Sequence, residues 1–117
     1  MRALVYLSGP YSGKNYNEIE RNILTAEYFA DLLWAKGFGV FCPHSNTRHM
    51  ELRVPSVTYE QYMNADSMLL NACDAVLMLP DWRNSKGATV ERSWAVTRGI
   101  PVYESLEDLI KDYEDGA

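Results

Sequence analysis

The chain has 117 residues, enough for one hydrophobic core, and we expect one domain over residues 1–117. Its hydrophobic content of 47% and charged content of 23% are those of an ordinary soluble globular protein. The net charge of −5 argues against a protein that tracks the phosphates of a nucleic-acid polymer, which needs clustered Lys and Arg. It is compatible with one small anion bound by backbone N–H groups.

The apolar pattern predicts no membrane span and no targeting segment. The first apolar run, residues 3–7, is too short for a signal h-region and is followed at once by Ser-Gly-Pro. Cys42 and Cys73 lie in or beside apolar runs and show no paired framework, so we expect buried free thiols. These features predict a cytoplasmic protein that does not contact a membrane.

Strands and helices alternate along the sequence. The predicted elements are a strand at 2–7, a helix capped by Asn15 and ended by Gly37, a strand at 38–41, a helix capped by Thr58 and running to about 72, a strand at 74–79, a helix at 87–98 ended by Gly99, a strand at 100–103 and a helix capped by Ser105. Residues 42–57, which include both histidines, predict a long loop. The alternation predicts an α/β flavodoxin-like (Rossmann-like) domain, with a parallel sheet of four to five strands in the order 2-1-3-4 and helices on both faces.

Glu91 and Asp66 are the candidate catalytic residues. Glu91 follows Ser85 and Gly87 in the first turns of a helix after strand three, at the edge where open α/β sheets bind ligands. The helix dipole favours an ionised carboxylate there. Taken alone, either acid is more readily explained as a surface residue. Together they match the two carboxyl groups that divide the nucleophile and acid roles at a glycosidic bond.

Loop residues at the same edge are candidate substrate-binding residues. Gly9, Ser12 and Gly13 offer backbone N–H groups to an anion, although the loop lacks the spacing of a Walker A motif. Ser85, beside Gly87, either binds a ligand hydroxyl or phosphate or acts only as a helix cap.

The aromatic residues and the histidines have open interpretations. Tyr11 and Trp82 either stack on a base or pack against the fold. Tyr6, from its position on strand one alone, is best explained as a core aromatic. Cys42, His44 and His49 lack the spacing and the fourth ligand of a zinc site, so no metal site is predicted. His44 is interpreted as a loop residue near the ligand.

Four motifs occur in a fixed order along residues 5–102: Val-Tyr-Leu-Ser-Gly-Pro at 5–10, Phe-Cys-Pro-His at 41–44, Asp66 eight residues before Asp74, and Ser85-x-Gly87-x-x-x-Glu91 with Gly-Ile-Pro at 99–101. This set resembles the nucleoside 2-deoxyribosyltransferase-like superfamily, and within it the short phage and bacterial members. The superfamily includes transferases and deoxynucleoside 5′-monophosphate N-glycosidases.

The resemblance implies roles for individual residues. Glu91 matches the nucleophile that attacks the anomeric carbon of 2′-deoxyribose, Asp66 the acid that helps the base leave, and Tyr6 a tyrosine that orients the nucleophile. Ser85 stands where the transferases have an aspartate for the sugar 5′-hydroxyl and the monophosphate glycosidases have a serine. Because a serine hydroxyl can donate to a phosphate that an aspartate would repel, this position favours a nucleotide.

The sequence departs from the family pattern in two places, which bear on the expected phosphate contacts and on the expected oligomeric state. Pro10 and Ser12 occupy the positions where the monophosphate glycosidases use a serine and an arginine, so phosphate binding is assigned to Ser12, Gly13 or Lys14. Most of the C-terminal segment that completes a neighbouring site in the family has no counterpart. We therefore expect a homodimer or larger homo-oligomer, with Trp34 or Tyr62 at the interface or in the core.

The resemblance thus implies an enzyme, an N-glycosidase or 2-deoxyribosyltransferase, that forms a covalent deoxyribosyl-Glu91 intermediate without a metal or organic cofactor. Its implied partner is a small nucleoside or nucleotide. The alternative is a non-catalytic nucleotide-binding or sensing module with the same crevice. A structural or partner-binding protein is a third possibility, supported only by the generality of the fold.

Overall fold

A parallel sheet forms the centre of the protein in a computed structural model that describes residues 2–115. The strands are β1 (Leu4–Ser8), β2 (Gly39–Phe41), β3 (Ala75–Met78) and β4 (Val102–Tyr103). Their order is β2-β1-β3-β4 and every pair is parallel, as predicted. In the register of β1 and β3, Tyr6 lies opposite Val76 and Ser8 opposite Met78.

Helices cover both faces of the sheet. They are α1 (Tyr16–Ala35), α2 (Pro43–Asn46), α3 (Met50–Arg53), α4 (Tyr59–Asn71), α5 (Lys86–Thr97) and α6 (Leu106–Asp115). The predicted caps are present, since Asn15, Thr58 and Ser85 each accept a backbone N–H from the first turn of a helix. Within residues 2–115, no helix has both the length and the apolar composition needed to cross a membrane.

The strand alternation divides the core into two layers. Val5 and Leu7 of β1 pack with α1 and α6, whereas Tyr6 packs with residues of α4 and α5. Since successive side chains of a strand point to opposite faces, Ser8 lies on the same face as Tyr6. Both side chains are therefore directed toward the layer that contains α4 and α5.

The prediction of one continuous loop over residues 42–57 is wrong, because α2 and α3 lie within it. Pro43 occupies the first turn of α2, where its fixed φ and missing N–H are tolerated. Each of these helices has four residues, too few to produce the apolar periodicity on which the sequence prediction depends.

Candidate active site

The carboxyl end of β1 meets α5 at the Glu91 side chain. The Tyr6 hydroxyl donates to Glu91 Oε2 at 2.8 Å, and the Ser8 hydroxyl donates to Glu91 Oε1 at 2.6 Å. Glu91 is 6% exposed, Ser8 is 1% exposed and Tyr6 has no exposed surface. Both carboxylate oxygens are thus bound by hydroxyls fixed on the central strand.

Burial raises the pKa of Glu91, and the hydrogen bonds from Ser8 and Tyr6 oppose that rise. Burial and the neighbouring Glu91 also raise the pKa of the Tyr6 hydroxyl, which therefore stays protonated and acts as a donor. Glu91 lies in the second turn of α5 and not in the first, where the helix dipole acts most strongly. The two hydroxyls, more than the helix dipole, are what favour the ionised form of Glu91.

Asp66 of α4 is the second carboxyl group at this position. It is half-buried, burial raises its pKa to about 6, and its carboxylate also raises the pKa of Glu91. Burial and the repulsion between two neighbouring carboxylates therefore oppose ionisation of both groups at once.

A cavity of about 480 Å³ opens above this pair. Most of the candidate residues from the sequence line it: Gly9, Tyr11, Ser12, His44, Asp66, Ser85, Gly87 and Glu91. Tyr6 lies behind Glu91 and reaches the cavity only through that carboxylate. A volume of this size is in the range of small-molecule and cofactor sites.

One wall of the cavity is formed by the loop after β1 and the segment containing α2 and α3. The Tyr11 hydroxyl donates to Glu51 Oε1 at 2.6 Å and accepts the His49 N–H at 2.8 Å. His44 is 4% exposed, and its Nε2 lies 2.8 Å from the Pro10 carbonyl oxygen, to which it donates. Burial lowers the pKa of His44, so its imidazole is neutral.

The opposite wall is formed by the start of α5 and by α4. Ser85 Oγ accepts the Ala88 N–H at 3.1 Å, which leaves the hydroxyl hydrogen free for another partner. A Cβ atom added to Gly87 would lie 3.7 Å from the Tyr59 hydroxyl, so this glycine faces the cavity without crowding. Lys86, next to Ser85, provides a cationic group on this wall.

The structure does not bring Gly13, Lys14 or Trp82 to the cavity. Gly13 packs against Glu18 of α1, whose carboxylate accepts the Lys14 N–H at 3.0 Å. Trp82 packs against the core layer of α4 and α5, and the guanidinium carbons of Arg83 and Arg92 lie 4.5 and 5.3 Å from its ring centroid. None of these three neighbours, Glu18, Arg83 and Arg92, lines the cavity.

Several residues at the site were missed by the sequence analysis: Ser8, Glu51, Tyr59, Met63, Asn84 and Lys86. Ser8 was detectable, because it lies two residues after Tyr6 on the same strand face. Glu51 was hidden in a segment predicted as loop. In residues 2–115, no group of three or more His, Cys, Asp or Glu side chains has a geometry that fits a metal ion.

Comparisons with known proteins show what the whole chain is similar to. The family model described as "Domain of unknown function (DUF4406)" matches residues 3–104. No curated protein matches the chain. A solved structure of a 2-deoxyribosyltransferase from the psychrotolerant bacterium Bacillus psychrosaccharolyticus is similar, with a TM-score of 0.60 and 21% identity over 86% of this chain and 69% of that one. This similarity shows a shared fold, in agreement with the α/β fold that the sequence predicts.

Proposed function

The chain belongs to the DUF4406 family, and from its cavity we propose an enzyme that cleaves or exchanges the N-glycosidic bond of a 2′-deoxynucleoside or its 5′-monophosphate. The observation that carries this proposal is the buried Glu91 carboxylate, bound by the Tyr6 and Ser8 hydroxyls and facing, with Asp66, an open cavity. A binding module has no need to bury an ionisable pair at the bottom of its ligand site.

The proton of the pair belongs to Asp66 in the proposed mechanism. Burial is the largest influence on both acids and favours the neutral form of each, but Glu91 also accepts hydrogen bonds from the Ser8 and Tyr6 hydroxyls, which favour its ionised form. Glu91 is then the nucleophile and Asp66 the general acid, the division of roles expected when two carboxyl groups have different environments.

The reaction proceeds in two displacements. A Glu91 oxygen attacks C1′, the bond from C1′ to the base nitrogen breaks, and Asp66 gives its proton to the departing base. Water, or a second base, then attacks C1′ and gives a proton to the Asp66 carboxylate, while the ester bond to Glu91 breaks. Two inversions at C1′ give net retention.

The test is release of free base from a panel of deoxynucleosides and deoxynucleoside monophosphates. Glu91→Ala should lose activity by several orders of magnitude, and Glu107→Ala, at an exposed position of α6, should retain it. Mass spectrometry of acid-quenched wild-type enzyme should detect a deoxyribosyl adduct on Glu91. Binding of a nucleotide without turnover would instead identify the protein as a binding or sensing module.

The 5′ end of the substrate is assigned to the wall formed by the start of α5. The free hydroxyl hydrogen of Ser85 and the Lys86 ammonium group support a 5′-phosphate there, in place of the Lys14 contact expected from the sequence. Monophosphates should therefore outcompete the matching nucleosides. Ser85→Asp should reverse that order while keeping the helix, because aspartate is an equally good N-cap. Equal affinity of the wild-type protein for both would favour a nucleoside substrate.

The sugar is proposed to be 2′-deoxyribose. The transition state has oxocarbenium character, and an electron-withdrawing 2′-hydroxyl would destabilise it. Comparable rates of base release from ribo- and deoxyribonucleotides would contradict this assignment.

A further inference from the structure

Ser8 occupies a position that the sheet fixes closely. It is the last residue of β1, it pairs with Met78 of β3, and its carbonyl oxygen accepts the Leu79 N–H at 2.8 Å. Its side chain is 1% exposed and lies on the strand face directed toward α5. The Ser8 hydroxyl therefore has little freedom to choose another partner.

The contact that Ser8 makes is with the proposed nucleophile. Its Oγ donates to Glu91 Oε1 at 2.6 Å, on the oxygen that Tyr6 does not bind. We propose that Ser8 is a positioning residue that, together with Tyr6, fixes the plane of the Glu91 carboxylate and keeps it ionised. That this positioning by Ser8 serves catalysis rests on the proposed function. The family resemblance gives such a role to Tyr6 and none to Ser8.

The Ser8 hydroxyl gives the buried Glu91 carboxylate a hydrogen bond that water would give it at an exposed position. A carboxylate as buried as Glu91 retains a proton unless hydrogen bonds stabilise its charge. Among the groups that lower the pKa of Glu91, Ser8 has the largest effect and Tyr6 the next. Loss of the Ser8 hydroxyl should therefore favour protonation of Glu91 at a pH where the wild-type carboxylate is ionised.

The two limbs of the pH–rate profile should respond differently. In the active pair Asp66 carries the proton and Glu91 the charge, so the acidic limb reports protonation of Glu91 and the basic limb reports loss of the Asp66 proton. Glu91 is ionised on both sides of the basic limb. Removing its Ser8 partner should move the acidic limb upward and leave the basic limb in place.

The experiment compares Ser8→Ala, Ser8→Thr and Ser45→Ala with the wild-type enzyme. In Ser8→Ala the acidic limb of kcat should rise by about one pH unit, with about a tenfold loss of kcat below that limb and little change in KM. Ser8→Thr keeps the hydroxyl and should restore the limb. Ser45→Ala removes a hydroxyl that donates to Glu27 at 3.0 Å outside the cavity, and should not move it.

A second measurement does not depend on activity. In protein labelled with ¹³C at the glutamate carboxyl carbons, the Glu91 signal is the one missing from Glu91→Gln, and its titration midpoint should rise in Ser8→Ala. An unchanged midpoint would overturn the proposal even if the enzyme is active and even if Ser8→Thr does not fold. A raised midpoint in a protein that turns over no deoxynucleoside would retain the role of Ser8 toward Glu91 and reject the proposed reaction.

Discussion

Glu91 is 6% exposed, so hydroxyl donors and a neighbouring acid replace the water that would otherwise surround its carboxylate. The Tyr6 and Ser8 hydroxyls oppose the rise in the pKa of Glu91 that burial causes, and burial also raises the pKa of Asp66. Two hydroxyl donors thus distinguish two chemically similar acids, to which we assign the proposed roles of nucleophile for Glu91 and general acid for Asp66. Each role makes a distinct prediction for substitution.

At the residue scale, Asp66→Asn should slow substrates with poorly leaving bases far more than substrates with activated leaving groups. An amide cannot give a proton to the base, and a base that leaves readily does not need one. The measurement is kcat/KM for a series of base analogues that differ in leaving-group pKa. The matched control is Asp31→Asn, at an exposed position of α1. An equal loss across the series would assign Asp66 to sugar positioning or to the fold.

At the scale of elements, the approach of the loop after β1 to the end of β3 decides the shape of the cavity. Gly9 lies so close to the end of β3 that an added Cβ atom would be 2.6 Å from Leu79 Cβ, and the Leu79 backbone is held there by its N–H bond to the Ser8 carbonyl oxygen. The φ of Gly9 does not fall in the left-handed region, so its backbone conformation does not by itself require glycine. The close contact with Leu79 does. The loop that carries Tyr11 and Ser12 therefore starts from a fixed point.

We expect Gly9→Ala and Gly87→Ala to have different effects on the free energy of unfolding. Gly9→Ala should lower the free energy of unfolding by about 1–3 kcal/mol, the usual cost of overpacking. Gly87→Ala should leave it unchanged or raise it by up to about 1 kcal/mol, because alanine favours the helix and its Cβ meets ordinary contacts at 3.7 Å. Urea unfolding midpoints measure both. Equal destabilisation by the two variants would contradict the role given to Leu79.

At the scale of the whole molecule, the Asp66–Glu91 pair should make stability depend on pH. Burial raises both pKa values in the folded state, so the pair's contribution to stability is fully present below the ordinary carboxyl values of 3.8 and 4.5. It is lost as the pH rises through the raised folded-state values. The contribution of this pair to the free energy of unfolding should therefore fall as the pH rises from acidic to neutral.

Glu91→Gln removes the ionising group and should flatten this dependence. Relative to the wild-type protein, the variant should become progressively more stable as the pH rises from about 4 to 8. The measurement is urea unfolding at several pH values, with Glu107→Gln as the exposed control. Parallel curves for the wild-type protein and Glu91→Gln would show that Glu91 has the same pKa in the folded and unfolded states.

The assembly expected from the sequence is a whole-molecule prediction. Trp34 is 56% exposed and is available to an interface, whereas Tyr62 lines the cavity. Light scattering on purified protein should give at least twice the mass of one chain, and Trp34→Glu should reduce it. A monomeric mass for the wild-type protein would contradict the prediction and leave the cavity complete within one chain.

The sequence by itself determined the order of the four strands and of the helices α1, α4, α5 and α6, the caps at Asn15, Thr58 and Ser85, and the helix ends at Gly37 and Gly99. These depend on local periodicity and on the backbone needs of a few residues, and both glycines have positive φ. The spaced motifs also identified Glu91, Asp66 and Tyr6, which the fold brings together.

Only the tertiary structure decided which side chains surround them. Ser8 faces Glu91 because α5 packs on that face of β1, and Glu51 reaches the cavity because α3 lies beside Tyr11. Trp82 packs against the core layer of α4 and α5 instead of lining the cavity. Contacts between elements far apart in the chain depend on packing and burial, which local sequence patterns do not encode.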